Sequence, residues 1–149
     1  MAVPSDILFY ALLGAPVPPI NDDEGKDWRC FVNFLPDDKT VKTRAVCLTD
    51  TPPFPDGRLM GTGEVIEHPG VQILVRAEDY GNCYRKLHEI ATWLSTVKML
   101  PVVIPNDGTY TLVSITRTSS FGNMGYDDVR RYHMSLNVTL TVDAGVTSP

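Results

Sequence analysis

The stretch Asn21-Asp22-Asp23-Glu24-Gly25-Lys26-Asp27 gathers four carboxylates within seven positions, the raw material of a calcium loop. Its register does not suit one. Ligands should alternate before the glycine and a bidentate Glu should close the loop, and neither condition is met. A solvated acidic loop is the better reading. His68, His88 and His133 share no ligand spacing, which assigns each a structural or surface role. Cys30, Cys47 and Cys83 form no CxxC pair, so zinc ribbons and thioredoxin-like redox sites are excluded. Each cysteine falls on an otherwise apolar face, which points to buried reduced thiols and folding in a reducing cytosol. No GxSxG elbow or HExxH helix is present to organise hydrolysis. Gly61-Thr62-Gly63 lacks the third glycine and the strand-to-helix setting of a dinucleotide site, and the phosphate-loop lysine motif is missing. The expectation is a protein without catalytic residues, metal or cofactor.

Arg76 closes a strand that runs directly into a helix. Its guanidinium suits a two-pronged pair with a carboxylate, for which Asp127 or Asp128 is available, or it lies exposed at the strand end. Tyr80, at the start of the helix, is either a packing or a contact residue.

The elements that would hold these residues are legible from periodicity. Ser5 suits the N-cap of a short helix over residues 6–13, apolar nearly all round and stopped by Gly14. Prolines 16, 18 and 19 force an extended connection. Residues 28–35 alternate with Trp28, Cys30, Val32 and Phe34 on one face, Pro36-Asp37-Asp38-Lys39 has turn chemistry, and residues 41–48 alternate again. This predicts a β-hairpin. Residues 50–63, with several prolines and glycines, read as a long irregular loop suited to meeting a partner. A short strand at 65–68 and a strong one at 71–77 follow. Asp79 then caps a helix over 80–98 whose buried stripe is Cys83, Leu87, Ile90, Ala91, Leu94 and Val97. Strands are expected at 99–104, 109–117 and 134–142, with a turn at Pro105-Asn106-Asp107-Gly108, a second long loop at 118–128 and a loose tail from 143.

These elements predict an α+β fold, a mostly antiparallel sheet packed on one long helix with a short N-terminal helix, in two layers. The 149 residues fit a single domain, with an N-terminal helix and extended arm over 1–27, a core over 28–142 and a tail over 143–149. A net charge of −5 and scattered basic residues, paired only at Arg85-Lys86 and Arg130-Arg131, argue against a conventional nucleic-acid binder. The apolar run at 7–13 follows no basic residue and is far shorter than a membrane span, so a soluble, unexported protein is expected.

Pro69-Gly70-Val71-Gln72-Ile73-Leu74-Val75-Arg76 resembles the "P-x-V-Q-h-x-V-R" strand, with h apolar, of the tail terminators and minor capsid proteins of long-tailed bacteriophages. Asp79-Tyr80 and the helix carrying Ile90 and Leu94 resemble that family's next segment. Arg131-Tyr132-His133-Met134-Ser135-Leu136-Asn137-Val138 is similar to its last strand, and Asp50-Thr51-Pro52-Pro53-Phe54-Pro55 to its Asp-Thr-rich loop, although Pro52-Pro53 replaces small glycine-rich residues. The resemblance spans about residues 28–142. It implies a virion protein of the tail or neck, assembled in the host cytoplasm. Copies would form a homo-oligomeric ring, a hexamer, that caps the tail tube and stops its growth. The implied partners are the tail tube protein and the head–tail connector or stopper, with DNA passing through the ring without sequence-specific binding and no membrane involved. Another neck or head-completion protein is the nearest alternative, and a small-molecule-binding or enzymatic domain a more distant one. Contacts are expected from the two long loops and their surroundings, through Asp50, Phe54, Arg58, Arg76, Tyr80, Phe121, Tyr126, Asp127, Arg130 and Arg131.

Overall fold

The computed structural model describes residues 3–22, 26–36, 42–58, 65–105 and 107–143, with the side chains of 52–58 and 65–68 left aside. Residues 37–41 with the expected turn, 59–64 with Gly61-Thr62-Gly63, Asn106, residues 23–25 of the acidic stretch and the tail 144–149 lie outside the described residues. In chain order the elements are α1 (Pro4–Leu13), β1 (Arg29–Val32), β2 (Ala45–Arg58), β3 (Val65–Ala77), α2 (Tyr80–Leu94), β4 (Leu100–Ile104), β5 (Gly108–Arg117), β6 (Gly122–Tyr126) and β7 (Tyr132–Asp143).

The expected two-layer sandwich on one long helix is not what forms. The chain is mostly β, 46% strand against 22% helical, and its seven strands make one mixed sheet curled into a half-barrel with two short helices. The order is β1-β2-β3-β7-β5-β4, and β6 pairs with β7 beside β5. Long β7 holds this together. One side pairs with β3 from Tyr132 to Thr139, and the other is shared between β6 near its start and β5 near its end.

Strand alternation places Val71, Ile73 and Val75 beside Val46, Leu48, Met134, Leu136 and Val138 on the inner face, all essentially inaccessible. Both helices join that face in one contiguous core. Helix α2 packs on β3 and β7, whereas α1 touches β1, β2, β3 and β4 and so bridges the curl. Its near-uniform apolarity now has a reason, since strands meet it from two sides.

Several local expectations are corrected. Strands β1 and β2 run parallel (Arg29↔Ala45 to Val32↔Leu48), so they are not a hairpin. Strand β1 is only four residues long, and Phe34 lies exposed past Asn33, which adopts φ 60. Residues 50–58 are not a loop but continue β2, and 65–77 form one unbroken strand. Within the supposed loop 118–128, residues 122–126 are strand β6. Helix α2 ends at Leu94, four residues early. The Thr92, Ser95 and Thr96 hydroxyls donate to the carbonyls of His88, Thr92 and Trp93, and such side chains compete with helix propagation. Asp79 caps α2 as expected, accepting from the Asn82 N–H at 2.8 Å. Val3, not Ser5, is the N-cap of α1.

Candidate functional site

Among the described residues no group of three His, Cys, Asp or Glu side chains is arranged to hold a metal ion. The three cysteines are free and buried. Burial pushes the Cys83 thiol up to about 11 and those of Cys30 and Cys47 above their ordinary range, which keeps them protonated and unreactive at neutral pH. The Cys83 Sγ–H lies 3.1 Å from the Tyr132 carbonyl and 3.7 Å from that of Val75, so it ties α2 to β7 and β3.

What the fold builds at the surface is aromatic. Ala77 and Tyr132 are register partners at the end of the β3–β7 ladder, and after Glu78 and Asp79 the chain turns into α2. Tyr80, Tyr84 and His88 then fall on one helical line, four residues apart. Ring meets ring along a continuous row. Tyr126 packs edge-on against Tyr132 (4.9 Å between centroids), Tyr132 against Tyr80 (5.4 Å), and Tyr80 stacks with Tyr84 (6.1 Å). Tyr84 in turn stacks with His88 (5.9 Å) and takes Phe121 edge-on (5.5 Å), while the Arg117 guanidinium lies 5.0 Å from the Phe121 ring centre. Tyr132 is buried at the root of the row and donates its hydroxyl to Asn123 Oδ1. Tyr80, Tyr84 and Tyr126 remain 46%, 43% and 59% exposed, and Met124 and Val129 are also exposed. Such edge-to-face and offset pairs stabilise one another while leaving large amphipathic rings open to a partner.

Beside this row Asp127 fixes the turn from β6 to β7. Its Oδ1 accepts from the Val129 and Arg131 N–H groups at 3.0 and 2.9 Å, and its Oδ2 from Arg131 Nε at 2.9 Å, with His133 Nε2 at 3.0 Å. Burial alone would raise the carboxyl's pKa. The bonds from His133, the two backbone groups and Arg131 outweigh it and hold the pKa well below the usual carboxylate range. Arg130, at φ 62, is exposed on the same turn.

Arg76 lies on the outer face of the sheet, 1% exposed, and donates to three carbonyls: Thr43 at 3.0 Å, Pro36 at 3.0 Å and Lys42 at 3.1 Å. It clamps the β1–β2 crossover against the sheet, a role neither expected reading described. Asp50 anchors α1. Its carboxylate accepts from the Ser5 N–H (2.8 Å), the Ser5 hydroxyl (2.9 Å) and Asn33 Nδ2 (3.0 Å), satisfying an amide that the first helical turn leaves open.

Of the residues singled out from sequence, Tyr80, Phe121, Tyr126, Asp127, Arg130 and Arg131 come together around the aromatic row. Arg76 is buried near it, Asp50 is at the α1 anchor, and Phe54 and Arg58 sit in the outer part of β2, opposite His68 and Val65. The sequence reading passed over Tyr84, His88 as a ring contact, and Tyr132. The i, i+4, i+8 spacing from Tyr80 was the available signal. No curated protein matches this chain. Across residues 3–144, nearly the whole sequence, it matches the family described as bacteriophage tail terminator protein. The chain belongs to the bacteriophage tail terminator family.

Proposed function

We propose that this protein is a structural component of the virion that assembles into a homo-oligomeric ring, a hexamer, on the end of the tail tube. There it stops tube polymerisation and offers its opposite face to the head connector or stopper. The observation that carries this reading is the family match along nearly the full length. The open half-barrel supports it. Among the described residues β4 and β6 each pair on one side only, β1 meets just the single bridge Asn21↔Arg29 on the side away from β2, and a strand edge left open is a template for a neighbouring copy. Head-to-tail contacts that close produce a ring, the shape that suits a tubular polymer. The acidic balance suits a ring through which DNA slides without sticking. The protein acts by binding rather than by turnover. No helix is long and apolar enough to cross a membrane among the described residues.

The test is tail length by electron microscopy in lysates lacking this protein. Overlong or unfinished tubes without heads are the expected outcome. Tails of normal length that fail to join heads would move the protein to head completion, and intact infectious particles would overturn its role in assembly.

A further inference from the structure

Beyond the pair Thr51↔Gly70, strands β2 and β3 continue as a ribbon, with Phe54↔His68, Pro55↔Glu67 and Arg58↔Val65 in register. Among the described residues neither strand of this ribbon pairs with anything else, since β1 stops opposite Leu48 and β7 leaves β3 at Gly70. A lone two-stranded ribbon is marginal in water and is stabilised when a third element covers it. Its β2 strand reads Thr51-Pro52-Pro53-Phe54-Pro55, and three residues without an N–H make it a poor template for strand addition. A proline-rich extended chain is instead the kind of segment that exposed aromatic rings receive. Such a surface exists on this molecule, the row formed by Tyr126, Tyr80, Tyr84 and Phe121.

The two features cannot meet within one chain. Strand β3 has the ribbon at its Val65 end and the aromatic row at its Ala77 end, and an extended strand of that length spans about 40 Å. A second copy, displaced along the strand direction, brings one against the other.

We propose that the proline-rich β2–β3 ribbon of each copy lies across the aromatic row of the next. This inference rests on the ring reading and names the contact that closes the ring. The contact is head-to-tail, because ribbon and row are different surfaces, and it repeats identically around a closed assembly.

Cross-linking of the full-length protein tests it. Glu67→Cys places a thiol on the ribbon and Tyr84→Cys one on the row, while the three native cysteines are buried. With a short bis-maleimide the double variant is expected to give a covalent ladder ending at the copy number of the ring, and each single variant no ladder. In parallel, Tyr84→Ala combined with Tyr126→Ala, both at exposed positions, is expected to weaken assembly at least tenfold with an unchanged far-ultraviolet spectrum. Rings visible by electron microscopy without a ladder, or undiminished assembly of the alanine pair, would overturn this contact and leave the ring reading intact. A wild-type protein that stays monomeric both alone and with tail tubes would overturn the ring reading and the contact together.

Discussion

At its C-terminal end β3 is hemmed in on every side. Arg76 donates to three carbonyls of the crossover behind the sheet, Ala77 pairs with Tyr132, and the neighbouring turn is tied to Asp127 by four hydrogen bonds. At its N-terminal end the same strand has β2 as its one neighbour among the described residues, and that partner strand carries Pro52, Pro53 and Pro55 and shifts register beside them. One end spends its polar chemistry inside the chain, and the other has only β2 to pair with among the described residues. The contrast separates residues that specify the fold from residues free to specify an assembly, although both lie on one strand.

Removing the clamp should give the largest effect. Arg76→Met keeps the length of the side chain but takes a buried donor away from the carbonyls of Pro36, Lys42 and Thr43, which belong to partly or fully exposed residues. A loss of about 3 kcal/mol is expected, because hydrogen bonds from a charged group contribute on the order of 1.5–3 kcal/mol each and water recovers part of this at the carbonyls. Arg76→Lys should recover only part, since one ammonium cannot reproduce the spread of a guanidinium. Urea denaturation of the three proteins is the measurement. A midpoint for Arg76→Met equal to wild type would mean that the crossover holds itself in place.

The same contrast explains what was legible in the sequence. The inner faces of β3 and β7, the stripe on α2 and its Asp79 cap all carry strict period or cap chemistry, and all form as expected. Periodicity is blind to direction, however. Residues 29–32 and 45–48 alternate whether they pair as a hairpin or in parallel, and what goes with the parallel pairing, the hold of Arg76 on the carbonyls of Pro36, Lys42 and Thr43, is a contact between residues distant in sequence. The prolines of residues 50–58 read as loop because they subtract ladder donors. At a ribbon edge that loss is tolerated, so the strand persists. Strand β6 was hidden by its glycines. A Cβ on Gly122 would stand 2.9 Å from the Ser135 hydroxyl, which would have to move aside, and Gly125 takes φ 79. The aromatic row spans three elements distant in sequence, so Tyr80 and Tyr126 could be named singly but not as neighbours. The half-barrel itself depends on how β7 divides one side between β5 and β6, which no local pattern encodes.

Neutralising Asp127 should have an intermediate effect and a pH signature. Its native pKa lies below the unfolded value of about 3.9, so the unfolded chain takes up the proton first as pH falls. The stabilisation is therefore complete above about pH 5 and is lost as pH drops through the usual carboxylate range and below it. Asp127→Asn is expected to cost about 1–2 kcal/mol at pH 7, solvent screening of a quarter-exposed carboxylate holding it under the figure for a fully buried pair. The gap from wild type should close as pH falls below 4. A gap that stays constant from pH 7 to pH 3 would show that the carboxylate's charge is not what fixes this turn.

The smallest effect on folding should come from removing the ribbon. Thr51 and Gly70 face each other in register, so replacing residues 52–69 with Asn-Gly closes β2 on β3 through a two-residue hairpin turn of favoured type. Among the described residues the excised stretch pairs with no strand outside the ribbon itself. The closure entropy of a long connection is traded for that of a short one, which changes stability by no more than about 1 kcal/mol. The shortened protein is thus expected to melt within a few degrees of wild type, where Arg76→Met, far smaller as a change in the chain, does not. If it unfolds instead, the ribbon belongs to the fold and the two ends of β3 are not separable. If it melts like wild type and no longer assembles, the free end of β3 is the assembling end, and its prolines are kept for a neighbour rather than for the chain that carries them.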